Sequence, residues 1–216
     1  FLPTWTWIFQ DIECKGFFNM QKNERLDQQL QFILEIDKLK DIYRRSYLTN
    51  SHRRENSSEH SWHVAIIAML LSEYSNEQTN LFRVLCMLLI HDLVEIDAGD
   101  TYCYDEQGAL DKAEREKEAA RRIFGFLPED QGRWILELWE EFEAGETPEA
   151  KFANAVDRFM PLLHNFATQG KSWVENDITQ DQVKQRMAPA YEGSKALWEY
   201  SQKIIQTAVE KGYLKP

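Results

Sequence analysis

The stretch Leu81-Phe-Arg-Val-Leu-Cys-Met-Leu-Leu-Ile-His-Asp-Leu-Val-Glu-Ile96 decides how the chain is read. Through Ile90 it is apolar nearly all round, a texture that marks a buried central helix rather than a surface one. His91 and Asp92 then arrive side by side at the end of the run. An ionised group placed there is costly unless it is paired or bound to a metal. Glu95 stands i+4 from His91 and i+3 from Asp92, so the three polar groups project from neighbouring parts of one helix surface. A lone His-Asp pair is more often a structural hydrogen bond at a helix end, so its meaning depends on the rest of the chain.

Outward from this segment the pattern stays helical. Asn56 and Glu59 stand three apart just before the apolar run Trp62 to Leu71, a variant capping box that predicts a helix from near Ser57 to near Ser75. Leu26, Leu30, Ile33, Leu34 and Ile36 recur at helical spacing and predict another over 24–43. The polar, arginine-bearing segment 44–58 reads as a loop. On the other side, Gly99 ends the central helix and a loop runs to Ala109. Asp111 to Phe124 alternates acids and bases as a solvated helix face does. Pro128 introduces a helix to about Glu143, Thr147-Pro148-Glu149 caps one over about 148–168, and a last long helix covers roughly 180–211. No strand pattern of useful length and no repeat is present. The expected fold class is all-α, a single helical bundle over residues 20–216.

Composition bounds the function. The 216 residues carry 25 Lys and Arg against 36 Asp and Glu, a net charge of −11, which disfavours a nucleic-acid polymer as partner because such binding rests on cations at phosphates. One small phosphate ester in a locally basic pocket remains compatible with that charge. No uncharged apolar stretch reaches the roughly 18–20 residues that span a bilayer, so no membrane partner is expected. Cys14, Cys86 and Cys103 form no CxxC pair, and Cys86 reads as a buried, reduced thiol; the pattern suits a cytoplasmic protein. Residues 1–19 are rich in Trp and Phe without the basic start or apolar core of a signal peptide. They are either an extension upstream of Met20 or an arm that packs on the domain or a partner subunit.

Two further residues give His91-Asp92 company. His60 stands in the first turn of the predicted helix that begins near Ser57, and His63 shares its face at i+3. Asp157 lies within the inward stripe Ala153, Val156, Met160, Leu163, four residues before Pro161, whose missing N–H leaves the Asp157 carbonyl without its helical donor. A kink beside this acid follows, and the acid needs a metal or a buried base as partner. Two histidines and two aspartates form a mixed nitrogen and oxygen set suited to a borderline divalent ion with open positions. His52, His63 and His164 read as structural or as supports behind the ligands, with His164 two turns from Asp157 on the same face.

In order and context, His60, His91-Asp92 and Asp157 resemble the signature of the HD-domain superfamily. The fuller stretches Arg53-Arg-Glu-Asn-Ser-Ser-Glu-His-Ser61 and His91-Asp-Leu-Val-Glu-Ile-Asp-Ala-Gly-Asp100 are similar to the branch of bacterial 5'-deoxynucleotidases and their eukaryotic relatives. Over residues 24–210 the resemblance implies an HD-domain phosphohydrolase with one divalent ion (Co, Mn, Fe, Ni, Zn or Mg) held by His60, His91, Asp92 and Asp157. It implies that Glu95 and Asp100 position and deprotonate water or bind a second ion, and that Arg45 binds phosphate, with Arg53 or Arg54 as helpers. The implied substrate is a small phosphorylated molecule, a (deoxy)nucleoside 5'-monophosphate, and the implied assembly leans towards a homodimer. Two departures remove the family's guide to base and sugar preference: Ser46 stands where relatives have tryptophan, and Thr101-Tyr-Cys-Tyr104 lacks the basic residue expected after Asp100. Other phosphoesters, or nucleotide binding without catalysis, are the alternative readings.

Overall fold

The computed structural model describes residues 23–105 and 107–216; the segment 1–19 and its two readings lie outside them. Helix α1 (Glu24–Ile36) starts where the Asn23 side chain accepts from the Leu26 N–H, and a 3-10 turn (Asp37–Asp41) closes it. Its apolar stripe is not the face that the core covers. Leu26, Leu30, Ile33 and Leu34 are exposed, while Phe32 and Glu35 face inward.

The segment expected as a loop forms a small antiparallel hairpin, β1 (Tyr43–Tyr47) and β2 (Arg54–Asn56), with an irregular register between Tyr43 and Tyr47. Its inward side chains are polar: Ser46 and Glu55 are buried and Arg44 is largely so. No hydrophobic alternation exists to be read, because these positions face the site rather than an apolar core.

Helix α2 (Ser57–Leu71) begins at the expected capping box, the Asn56 side chain accepting from the Glu59 N–H and the Glu59 carboxylate from the Asn56 N–H. Helix α3 (Leu81–Ile90) is not buried all round. Val84, Met87 and Leu88 face the core, Cys86 is half-buried, and Phe82 and Leu89 are 70% and 50% exposed. The helix expected to run on to Ile96 tightens at the His91-Asp92 pair into a 3-10 turn (His91–Val94), followed by α4 (Glu95–Ala98). Gly99, at φ +74, turns the chain out of α4 in a conformation that a side chain would disfavour.

Helices α5 (Lys112–Phe124), α6 (Glu129–Ala144) and α7 (Pro148–Ala167) follow the expected order, α7 with Thr147 as its cap and Pro161 within it. A short α8 (Lys171–Glu175) comes next. The last helix is broken into α9 (Gln180–Met187), α10 (Ala190–Gly193) and α11 (Lys195–Glu210). Pro189 has no N–H to continue α9. Gly193 then lets α10 lie against α7: a Cβ there would sit 2.1 Å from the Lys151 carbonyl oxygen.

Helix α7 runs through the larger core, where Phe152, Ala153, Val156 and Met160 are fully buried among residues of α2, α3 and α11. A second cluster joins Phe32, Leu93, Val94, Ile123 and Trp139. The His91–Val94 turn links the two, since Met87 and Leu88 before it belong to the first and Leu93 and Val94 to the second. Rigid packing on both sides therefore fixes His91 and Asp92. Among the described residues no helix is long and apolar enough to cross a membrane.

Candidate metal centre and its cavity

His91 is anchored by its backbone and its ring. Nδ1 lies 2.9 Å from the Leu88 carbonyl oxygen and donates to it, which leaves Nε2 as the free nitrogen. That Nε2 is buried and has no hydrogen-bond partner among the described residues. It points at Asp92 Oδ1, 3.1 Å away, and at Asp157 Oδ1, 3.5 Å away. His60, in the first turn of α2, places Nε2 at 2.9 Å from the same Asp157 oxygen. Donor atoms of His60, His91 and Asp157 all lie within 4.8 Å of one another, and all three residues are buried. Two imidazole nitrogens, one of them the orphaned Nε2 of His91, with the Asp157 carboxylate and the adjoining Asp92, fit a divalent cation of borderline softness.

The charges respond to this crowding. Burial works against a charged His91 ring, yet Asp92 and Asp157 outweigh it and push its pKa up to about 9. Burial likewise opposes ionisation of Asp157, but the His60 and His91 rings hold its carboxyl well below the usual range. A bound cation would take over the role that the protonated His91 ring plays here.

Around this centre the hairpin supplies a cation that was passed over as a loop residue. Arg44 Nη1 is 2.5 Å from Asp92 Oδ2 and 3.8 Å from Glu95 Oε1. The other Glu95 oxygen accepts from Ser57 Oγ at 2.6 Å. Burial and the Asp92 charge raise the Glu95 pKa well above the carboxylate norm. Asp100, just past Gly99, is raised for the same reasons, with Arg44 opposing.

His91, Asp92, Asp157, Glu95, Asp100 and Arg45 all line one cavity of about 330 Å³, while His60 lies behind its wall. Arg45 sits on the outward side of β1, its guanidinium 5.8 Å from the Tyr102 ring centre. Arg53 and Arg54 are elsewhere: Arg53 pairs with Glu59 on the surface at 2.5 Å, and Arg54 lies over the Tyr47 ring. The helix expected to be solvated at 111–118 instead sends Lys112 and buried Glu116, paired at 2.8 Å, into the cavity wall. Ser46, Tyr102 and Tyr104, from the two departures in the sequence pattern, line it as well.

Arg158 and Arg186 complete the wall. On a straight helix Arg158 is expected about 100° away from Asp157, which the sequence took as pointing elsewhere; the cavity is broad enough to be reached from both positions. Burial and the neighbouring Arg186 guanidinium push Arg158 down to about 10.

Behind His60 lies a group that the sequence did not reveal. Buried Glu55 presents Oε2 at 3.6 Å from His60 Nδ1 and Oε1 at 4.0 Å from His164 Nδ1. The His164 ring is in turn 5.4 Å from that of His63. The only sequence signal for Glu55 is its place on the inward side of a three-residue strand, which is legible once the hairpin is known.

A family model described as the HD domain matches residues 36–198. The human protein named 5'-deoxynucleotidase HDDC2 is 34% identical over 135 residues, 62% of this chain and 65% of the human one, so the chain spans just under two thirds of that relative's length. The 5'-deoxynucleotidase hdd1 of Schizosaccharomyces pombe is 26% identical over 184 residues, 83% of each chain. A solved structure from Magnetospirillum magnetotacticum MS-1, described as a predicted metal-dependent phosphohydrolase, is 51% identical with a TM-score of 0.86, covering 89% of this chain and 96% of that one. An HD-domain phosphohydrolase from Listeria innocua, 18% identical with a TM-score of 0.58, shares the fold.

Proposed function

Since the chain belongs to the HD-domain family, we propose that it is a metal-dependent phosphohydrolase acting on (deoxy)nucleoside 5'-monophosphates and releasing nucleoside and inorganic phosphate. The observation that carries this reading is the orphaned Nε2 of His91, aimed with His60 Nε2 and Asp157 Oδ1 at one point beside a cation-lined cavity. The names of the human and yeast relatives and of the Magnetospirillum structure support it.

His60, His91, Asp92 and Asp157 would hold the ion, and their donor chemistry admits Co, Mn, Fe, Ni, Zn or Mg. When bound, such an ion supplies Lewis-acid polarisation of a phosphoryl oxygen and makes water a nucleophile at neutral pH. Arg44 keeps Asp92 oriented through its short ion pair. Glu95, fixed by Ser57 and raised in basicity, accepts a proton from the attacking water. Asp100, also raised, is placed to return a proton to the departing ester oxygen. Arg45 neutralises phosphoryl charge at the cavity mouth. A volume of about 330 Å³ falls within the range of small-molecule sites, and Tyr102 and Tyr104 offer aromatic surface to a nucleoside.

The test is a set of variants read by both metal content and phosphate release from a panel of ribo- and deoxynucleoside monophosphates. His91→Ala and Asp157→Ala should lose the metal. Glu95→Ala should keep it and lose turnover by ~10²–10⁴-fold. A Glu95→Ala protein that also lost its metal would make Glu95 a ligand instead of a base; full turnover in His91→Ala would end the proposal.

A further inference from the structure

Arg158 in α7 and Arg186 in α9 reach the cavity from the other side of Asp157. Asp157 Oδ1 faces the two histidines, whereas Oδ2 is 3.6 Å from Arg186 Nη2. Arg158 has no carboxylate of the described residues within 4 Å of its guanidinium. Its two hydrogen bonds are long, Nη2 to Asn154 Oδ1 at 3.4 Å and Nη1 to the Arg186 carbonyl at 3.5 Å. Its Nε is buried with no acceptor among the described residues.

The other inward cations of this cavity are neutralised within the protein, Arg44 by Asp92 and Glu95, and Lys112 by Glu116. Two guanidiniums gathered in one wall, one of them with an unmet buried donor, repel each other and leave hydrogen bonds unmade. A structural tie between α7 and α9 would show short, well-made bonds, and these are not short. An anion with several acceptor oxygens satisfies both groups at once, and the guanidinium fork matches a phosphoryl group in bidentate fashion.

We propose that Arg158 and Arg186 form a clamp for the phosphoryl group, gripping non-bridging oxygens of a phosphomonoester dianion and of the phosphate released from it, beside the second oxygen of Asp157. The clamp rests on the phosphohydrolase reading and adds to it the residues that select a dianionic phosphate. Arg45 would meet the same group from β1, so the two sets act from different walls.

Inorganic phosphate titrated calorimetrically into the metal-loaded protein tests this directly. Arg158→Gln and Arg186→Gln are compared with wild type, with thermal unfolding and metal content measured on each sample. Each substitution is expected to weaken phosphate binding at least ~10-fold, as loss of a charge-assisted hydrogen bond does. It should also raise KM for the monophosphate with the metal content unchanged. Arg158→Lys, which keeps the charge but not the fork, should fall between the two. Phosphate bound as tightly by folded Arg158→Gln and Arg186→Gln as by wild type would overturn the clamp and leave the hydrolase reading standing. Phosphate binding that depends on both arginines, in a protein that releases phosphate from no ester, would sustain the clamp and sink the reaction. Should one glutamine variant fail to fold, the other and Arg158→Lys carry the same comparison.

Discussion

Glu55 stands where a metal-binding histidine needs a partner. His60 turns Nε2 to the site and leaves Nδ1 buried, with the Glu55 carboxylate 3.6 Å behind it. Carboxylates in that position fix a ring's tautomer and direction. Glu55→Gln is therefore expected to weaken metal affinity by ~10–100-fold, measured by competition with a chelator; unchanged affinity would reduce Glu55 to packing. A pH effect follows from His91. Asp92 and Asp157 overcome burial and hold its pKa at about 9, so the empty site carries a proton at neutral pH that a metal must displace. Metal affinity should thus fall as pH drops below about 9, and binding at neutral pH should release a proton. Calorimetry in buffers of different ionisation enthalpy detects this, and heats independent of buffer would contradict it. At this scale the sequence singled out His91, Asp92 and Asp157, because charged groups beside apolar runs need partners, and His60 through the motif around it. It did not single out Arg44, Glu55 or the cavity-lining position of Arg158, because their directions depend on a strand's pleat and on how α7 meets α9.

At the scale of elements, the capping box was legible because it is local: Asn56 and Glu59 satisfy each other's backbone donors across three residues. Asn56→Ala should cost about 1 kcal/mol, read from the denaturant midpoint; no change would mean that tertiary packing alone starts α2. Since His60 lies in that first turn, the cap also sets where a proposed ligand begins. Elements whose form depends on distant partners were not legible. The hairpin has polar inward residues, so it lacks alternation. The α1 stripe marked a helix but not its inward face, which Phe32 and Glu35 form. Apolar texture in α3 measured how much hydrophobic surface the helix carries, not which part the core covers, so Phe82 and Leu89 came out exposed. The terminal helix broke where Pro189 removes a donor and Gly193 closes on α7.

Across the whole molecule, two hydrophobic clusters meet at the His91–Val94 turn, and α7 carries Asp157 to the same place from the larger of them. The net charge of −11 is spread over the chain, whereas the cavity gathers Arg44, Arg45, Lys112, Arg158 and Arg186 beside its acids. A strongly acidic protein can in this way still set several cations around one small anion. The most direct measurement is phosphate release from nucleoside 5'-monophosphates by protein stripped with chelator, before and after single divalent ions are returned. The account predicts no release from the stripped protein and recovery with at least one transition ion; undiminished release after complete removal of metal would contradict it.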